Sequence, residues 1–242
     1  MLVAIHQPNY LPWCGYFAKI AAADRFIVLD DVPMPRGRSY LSRAQILGPD
    51  GPQWLSMPVL RGGQPLIKDA RLVLDNWPAR HLRTLRARYG PLSQGPSVLA
   101  RLATHLACPC ERLADFNIAL LRELLSLLDI RTPLVCASEL SVSGQGSRHL
   151  LDLVRAVGGT AYVSGPSGRQ YLDEQLFTQF GIPIQYGFYE PRAYPQRGRR
   201  FVPALSIVDA LCHLGPDQAR ALLDYQRTPY GRRDLARSPW AR

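Results

Sequence analysis

Residues 1–32 read MLVAIHQPNYLPWCGYFAKIAAADRFIVLDDV, and this stretch decides the fold. The apolar runs Leu2–Ile5 and Phe26–Leu29 predict two buried strands. Leu11–Ala23 predicts a short helix between them, with Pro12 in its first turn. A strand, a helix and a second strand in this order form a β-α-β unit, in which the two strands are parallel. The sequence therefore predicts an α/β fold that begins with a β-α-β unit and has a mainly parallel sheet.

The rest of the chain adds a β-hairpin, inserted helices and further strands to this unit. Tyr40–Leu47 and Gln53–Val59 flank the turn sequence GPDGP and predict the hairpin. We expect one α/β domain over residues 1–226, with a helical middle segment at about 77–130, followed by a basic, flexible tail at 227–242. Apolar periodicity predicts helices at Trp77–Tyr89, Gly95–Leu106, Cys110–Leu128, Arg148–Val157, Tyr171–Gln179, Leu205–Leu214 and Pro216–Tyr225, and strands at Ile67–Leu74, Thr132–Ala137, Thr160–Ser164 and Ile182–Phe188.

The composition is that of a globular protein, because 47% of the 242 residues are hydrophobic and 20% are charged. No apolar run reaches the ~18 residues of a membrane helix, and the N-terminus lacks the pattern of a signal peptide. We therefore expect a cytoplasmic protein without a membrane span.

Five scattered cysteines are an odd number, and Cys108 and Cys110 are too closely spaced for a zinc knuckle. The cysteines therefore predict neither a disulfide framework nor a metal site.

The net charge of +10 comes almost entirely from arginine, since only Lys19 and Lys68 among the 29 basic residues are lysines. The excess is concentrated between Arg192 and Arg242, where ten arginines accompany four aspartates. Such a bias arises either from a GC-rich genome or from an anionic partner, for which phosphate, a nucleotide-sugar and RNA are the candidates.

A dense polar turn, His6-Gln7-Pro8-Asn9-Tyr10, follows the first predicted strand. Open α/β sheets bind ligands at the carboxyl ends of their strands, so this turn is a candidate site. His6 is the candidate general base, because imidazole titrates near neutral pH. A turn with a purely structural role would need Pro8 or Asn9 but not the imidazole, the amide and the phenol beside them.

Asp30 and Asp31 follow the second predicted strand, where two buried carboxylates are costly unless they have partners. Adjacent side chains on a strand point in opposite directions, so only one of the two can face a pocket without a bend. We expect one to cap a backbone group or pair with an arginine, and the other to orient an amine or bind Mg²⁺.

A glycine-rich loop follows the strand at Thr160–Ser164 and reads Ser164-Gly165-Pro166-Ser167-Gly168-Arg169. A strand, a loop and a helix in this order present backbone N–H groups to an anion, with Arg169 as a bidentate partner. The loop is a candidate phosphate site, although the same residues also suit a tight turn.

Trp77 and His81 lie one turn apart on a predicted helix and share a face, so His81 belongs either to the core or to the site. His105, His149 and His213 stand alone in the sequence and are expected to be structural.

The sequence resembles the WbqC-like family over about residues 2–224. The resemblance rests on IHQPNYLPWCGYFAKI, DRFIVLDDV, SRAQI and WLSMPV, and it continues through the Trp77–His81 helix, Asn117, YVSGPSGRQYLDEQLF and FVPALSIVDALCHLG. Where the family carries a tryptophan-rich segment containing Asn and Arg after LDDV, this chain has GRSYLSR, of which only Arg43 carries over. The resemblance implies that the functional residues are His6, Gln7, Asn9, Tyr10, Asp30, Asp31, Arg43, His81, Ser164, Gly165, Arg169 and Tyr171.

The resemblance implies a place among surface-polysaccharide (O-antigen) genes and a role in glycine transfer. Our leading hypothesis is an acyl or aminoacyl transferase that acts on an amine or hydroxyl of a sugar, a nucleotide-sugar or another small metabolite. His6, Asp31 and His81 would act in catalysis, and Ser164, Gly165, Gly168 and Arg169 would bind the phosphate of the donor. Gln7, Asn9, Tyr10, Asp30, Arg43 and Tyr171 would bind substrate.

Glycyl-tRNA as donor would account for the basic charge. Two other hypotheses remain open: a nucleotidyltransferase or adenylate-forming ligase, by fold-level analogy, and an RNA- or partner-binding protein without enzymatic activity. The sequence leaves the cofactor open, with Mg²⁺ and a nucleotide as the candidates.

Overall fold

Two β-sheets and two layers of helices make up the computed structural model, which describes residues 1–60, 62–107, 110–198 and 200–228. The strands are β1 (Leu2–His6), β2 (Arg25–Val28), β3 (Arg43–Leu47), β4 (Pro52–Ser56), β5 (Leu134–Cys136), β6 (Ala161–Ser164), β7 (Ile184–Tyr189) and β8 (Tyr225–Thr228). The α-helices are α1 (Cys14–Ala21), α2 (Trp77–Tyr89), α3 (Gly95–Ala107), α4 (Leu113–Leu127), α5 (Gly146–Ala156), α6 (Glu174–Gln179), α7 (Ile207–Leu214) and α8 (Pro216–Ala221). Short 3-10 helices lie at Ile67–Asp69, Ala137–Glu139 and Pro166–Gln170.

The larger sheet has six strands in the order β5-β2-β1-β6-β7-β8. All of its pairs are parallel except β7 with β8, so the predicted α/β class with a mainly parallel sheet is confirmed. β1 and β2 form the predicted β-α-β unit around α1, and His6 pairs with Val28 at its end. β3 and β4 form a separate antiparallel hairpin, as predicted.

The sheet is buried on both faces because helices cover both of them, as expected for parallel strands. Along β1, Leu2 and Ala4 pack into the larger hydrophobic cluster, while Val3 and Ile5 pack into the smaller one. The larger cluster contains residues of α1, α2, α3, α4 and α7, and the smaller one contains residues of α5 and α6. The helical middle segment therefore belongs to one layer of the fold.

Two element predictions are wrong. Ile67–Leu74 was expected as a strand, but only the 3-10 turn Ile67–Asp69 and single bridges at Arg71 and Leu72 form there. The backbone N–H groups of Ile67 and Lys68 instead donate to Val32 O and Asp30 O, which fixes this segment beside the end of β2.

The helix expected at Pro216–Tyr225 ends at Ala221, and β8 then pairs antiparallel to β7. The strand β8 forms because the edge of β7 offers it a pairing partner in the folded protein. The local apolar pattern of residues 216–225 could not indicate that pairing. β8 includes Arg227 and Thr228, the first two residues of the predicted basic tail; the remainder, 229–242, lies outside the described residues.

Within the described part of the chain, none of the helices combines the length and the apolar character needed to span a membrane.

Asn117 joins α4 to two other segments of the chain. Its buried side-chain amide donates to Pro8 O and to Leu41 O, each at 2.8 Å. We expect Asn117→Ala to lower the free energy of unfolding by about 2–4 kcal/mol, because both buried carbonyl groups would lose their donor. Urea unfolding monitored by circular dichroism measures the change.

Arg122→Ala, on the exposed side of the same helix, is the matched control and should change stability little. Equal stability of the Asn117→Ala and Arg122→Ala variants would contradict the assigned role of Asn117.

Candidate functional site

A cavity of about 500 Å³, here called the sheet-edge cavity, opens at the carboxyl ends of β1, β6 and β7. From β1 the chain crosses to β2 on one side, whereas β6 and β7 lie on the other side. This reversal is the topological switch point at which open α/β sheets bind ligands. The residues that line the cavity include His6, Gln7, Trp13, Tyr16, Lys19, Tyr162, Ser164, Gly165, Tyr171, Tyr189 and Tyr225.

The walls of the sheet-edge cavity are mostly aromatic, with a few polar groups among them. Trp13 packs edge-on against Tyr189, with ring centroids 5.4 Å apart, and its indole ring covers Gly15. A Cβ atom at Gly15 would lie 2.5 Å from that ring, so the glycine allows the close approach of helix and indole. Among the described residues the lining contains no carboxylate, so the cavity favours a neutral or anionic ligand.

His6 presents a neutral imidazole at the cavity. Burial and the nearby charge of Lys19 lower its pKa from 6.5 to about 4, so the ring is uncharged at neutral pH. Its Nδ1 lies 3.1 Å from Gln7 O. A carbonyl oxygen only accepts hydrogen bonds, so we assign the ring proton to Nδ1, which leaves Nε2 as a proton acceptor.

Lys19 lines the cavity but, like Trp13 and Tyr16, was not among the predicted site residues. Its Nζ donates to Ile5 O at 2.8 Å, and only 7% of the residue is exposed. Burial lowers its pKa from 10.5 to about 7, so its amine exchanges a proton near physiological pH. One sequence signal could have identified Lys19. It lies within the apolar run CGYFAKIAAA, in a chain whose basic residues are almost all arginines.

The turn after β1 is held by side chains from other elements. Tyr16 OH donates to Gln7 O at 2.9 Å, and Asn117 binds Pro8 O. Leu11 has a φ of 37°, a left-handed conformation that costs about 1–3 kcal/mol in a residue with a side chain. The surrounding hydrogen bonds therefore hold a strained backbone that presents His6 and Gln7 at the cavity.

Tyr10 and His81 lie in the core rather than at the cavity. Tyr10 is 1% exposed, and its hydroxyl pairs with His81 Nδ1 at 2.9 Å. Trp77 packs against both rings, and burial lowers the pKa of His81 to about 4. The structure therefore does not bring His81 or Tyr10 to the cavity, and both help to fix the turn that holds His6. Asn9 is half-buried on the same turn.

Asp30 and Asp31 also have partners outside the cavity lining. Both carboxylate oxygens of Asp30 accept from Ser138, one from its backbone N–H at 2.9 Å and the other from its hydroxyl at 2.6 Å. Asp31 lies 3.1 Å from the buried Nε2 of His149. Asp30 thus caps a backbone group, as expected for one of the two carboxylates. Asp31, the carboxylate left to orient an amine or bind Mg²⁺, instead pairs with His149.

The loop after β6 contributes only its first part to the cavity. Ser164 and Gly165 line it, whereas Gly168 and Arg169 do not. Gly168 is a packing residue, since a Cβ there would lie 2.0 Å from Ser164 Oγ. The exposed Arg169 guanidinium stacks on the Tyr186 ring at 4.3 Å. Tyr171, the last predicted substrate-binding residue of this region, lines the cavity and is 62% exposed.

Arg43 lies outside the sheet-edge cavity, at the start of β3, where it lines a second groove together with Trp54. The structure therefore brings together His6, Gln7, Ser164, Gly165 and Tyr171 among the predicted site residues.

The described residues at the cavity do not form a ligand set for a divalent metal ion. In the described part of the chain, no group of three or more His, Cys, Asp or Glu residues could hold a metal ion. Asp30 and Asp31, the acidic residues considered for Mg²⁺, are engaged by Ser138 and His149. We therefore derive no step through a metal ion.

Comparisons with known proteins place the chain beside uncharacterized relatives. The model of the WbqC-like protein family matches residues 7–221. The uncharacterized protein Rv1507c of Mycobacterium tuberculosis (strain ATCC 25618 / H37Rv) is 34% identical over 225 residues, which cover 90% of this chain and 97% of that protein. No solved structure matches the chain.

The lowered pKa of Lys19 can be measured directly, because the chain has only two lysines. We expect the ε-carbon resonance of Lys19 in protein labelled with ¹³C-lysine to titrate near pH 7. Lys68→Arg assigns the signal, since that variant retains a single lysine. A titration of Lys19 only above pH 10 would contradict the assigned environment.

The same shift makes stability depend on pH. Between about pH 7 and 10.5 the unfolded chain binds a proton at Lys19 that the folded protein lacks, so the free energy of unfolding rises with pH in this window. Lys19→Met should lose that contribution, which urea unfolding at pH 7, 8 and 9 measures against the parent protein. Identical pH dependence of the two proteins would contradict the assignment.

Proposed function

The chain belongs to the WbqC-like protein family, and from this premise we propose that the sheet-edge cavity is the active site of an acyl or aminoacyl transferase. The acceptor is an amine or hydroxyl group of a sugar or another small metabolite. One observation carries the proposal: a neutral imidazole, a buried amine and the start of a glycine-containing loop line a single cavity at the switch point of the sheet. The imidazole is unprotonated at neutral pH, and the amine exchanges a proton near pH 7.

His6 is the proposed general base. With the proton on Nδ1 engaged by Gln7 O, Nε2 is free to accept a proton from the attacking amine or hydroxyl of the acceptor. The backbone that carries His6 is fixed by Tyr16 and Asn117, so the ring does not have to be ordered when substrate binds.

Lys19 is the proposed cationic partner of the reaction. Its ammonium form stabilises the negative charge that develops on the carbonyl oxygen of the donor. Proton uptake by His6 is easier when Lys19 is neutral, because the charge of Lys19 is one cause of the lowered pKa of His6. A state in which either His6 or Lys19 is protonated is therefore favoured over a state in which both are protonated.

The proposed step balances as a simple group transfer. The acceptor nitrogen or oxygen forms a bond to the carbonyl carbon of the donor, and its proton moves to His6 Nε2. The bond between that carbon and the leaving oxygen then breaks, and His6 returns the proton to the leaving oxygen. An aminoacyl ester of tRNA or an acyl phosphate supplies a leaving oxygen of this kind.

The aromatic walls suit a sugar ring as the acceptor. Trp13, Tyr16 and Tyr189 offer apolar ring surfaces beside hydroxyl groups, and such amphipathic walls bind the apolar face and the polar edge of a sugar. The family resemblance suggests glycine as the transferred group and the synthesis of a surface polysaccharide as the setting. The cytoplasm is the location that the sequence pattern suggests.

We expect the purified full-length protein to transfer labelled glycine from glycyl-tRNA to an amino sugar or its nucleotide-linked form, as detected by mass spectrometry. His6→Gln should lower the turnover by about 10²–10⁴-fold, because general-base catalysis would be lost. His105→Gln is the matched control, since His105 pairs with Glu123 on the helical layer away from the cavity.

Equal activity of the parent protein and the His6→Gln variant would contradict the assigned base. Release of pyrophosphate from ATP or CTP, without transfer of glycine, would instead identify a nucleotidyltransferase or an adenylate-forming ligase.

A further inference from the structure

A second groove of about 940 Å³, here called the hairpin groove, lies between the loops that follow β2 and β4. Its lining shares no residue with that of the sheet-edge cavity, so the two are separate features of the surface. Among the described residues, the lining of the hairpin groove combines an exposed indole ring with three guanidinium groups, those of Arg36, Arg38 and Arg43 beside Trp54.

Arg43 and Trp54 form a stacked pair across the β3–β4 hairpin. The Arg43 guanidinium lies 4.1 Å from the centroid of the Trp54 ring, and its buried Nε has no hydrogen-bond partner among the described residues. Trp54 is 38% exposed, and Tyr40 beside it is 54% exposed, with ring centroids 5.7 Å apart. The Arg43 guanidinium also lies 5.9 Å from the centroid of the Tyr40 ring, so it faces both aromatic rings, each of which is partly exposed to a ligand.

The positive charge of the hairpin groove is not neutralised by neighbouring acids. None of Arg36, Arg38 and Arg43 forms an ion pair with a described residue, and the described lining contains no carboxylate. A second exposed ring, Phe180, shows the opposite arrangement. Arg148 and Arg155 lie over that ring at 5.2 and 4.8 Å, but both are paired with Asp152.

We propose that the hairpin groove binds a single-stranded segment of nucleic acid. The bases stack on Trp54 in the groove and on Tyr40, which lies beside Trp54 outside the groove lining, and the guanidinium groups of Arg36, Arg38 and Arg43 bind the phosphates. Single strands expose the faces of their bases to aromatic side chains, whereas a duplex keeps those faces stacked inside the helix. This proposal stands on the hairpin groove alone and does not require the transferase activity.

Fluorescence anisotropy of a labelled eight-nucleotide oligouridylate tests the proposal with the full-length protein. Trp54→Ala should weaken binding by at least about tenfold, because one stacking platform would be lost. Trp54→Phe, which keeps an aromatic ring, should restore most of the affinity. Phe180→Ala is the matched control and should bind like the parent protein.

The salt dependence tests the phosphate contacts separately. Arg36→Gln combined with Arg38→Gln should reduce the slope of log affinity against log salt by about 1.4, the value for two phosphate contacts to a single strand. Arg80→Gln combined with Arg148→Gln removes the same charge elsewhere and should leave the slope unchanged. The basic segment 229–242 is present in every variant, so it cannot cause a difference between them.

Three results would overturn the proposal. The first is that Phe180→Ala or the Arg80 and Arg148 pair weakens binding as much as the groove variants. The second is that a duplex of the same length binds as tightly as the single strand. The third is that AMP competes as well as the oligonucleotide, which would identify a mononucleotide rather than a strand as the ligand.

Discussion

The hydrogen bonding of the backbone at the end of β1 is the constraint on which the rest of the site depends. β1 stops pairing at His6, and the carbonyl groups around this point would be left without donors in a buried position. Side chains from elsewhere supply them: Lys19 binds Ile5 O, Tyr16 binds Gln7 O and Asn117 binds Pro8 O. The same bonds that satisfy the backbone also place His6 and Gln7 at the cavity, so stability and site geometry share one set of contacts.

This arrangement explains why a lysine lies where burial disfavours its charge. Lys19 satisfies Ile5 O and also lowers the pKa of the neighbouring His6. An apolar residue at position 19 would remove the desolvation cost of the amine but would leave a buried carbonyl group without its donor. Of the three side chains that hold the turn, Lys19 is the one that also exchanges a proton near physiological pH, since burial lowers its pKa to about 7. The proposed chemistry uses a feature that the fold already requires.

The sequence predicted the position of the sheet-edge cavity better than it predicted which residues line it. The parallel β-α-β pattern placed the ends of β1 and β6 at one edge, and His6 and Ser164 do line one cavity there. Tyr10 belongs to the polar turn after β1, and His81 was predicted as a site residue on α2. Both face the core, because α2 packs against the back of the turn. Arg169 follows Ser164 by five residues, yet the 3-10 turn between them directs its guanidinium to Tyr186. Spacing along the chain could not show these directions, since they depend on packing between distant segments.

The sequence by itself determined the class of fold, the parallel start of the sheet and the edge at which the strand ends meet, because these follow from local apolar patterns and from the handedness of β-α-β units. Only the tertiary structure decided that Lys19 reaches Ile5 O, that Asp31 pairs with His149 and that β8 completes the sheet beside β7. It also separated Arg43 from the sheet-edge cavity and placed it on Trp54. The physical reason is the same in each case: burial and hydrogen-bond partners are set by segments far apart in the chain, and no local pattern specifies which of them meet.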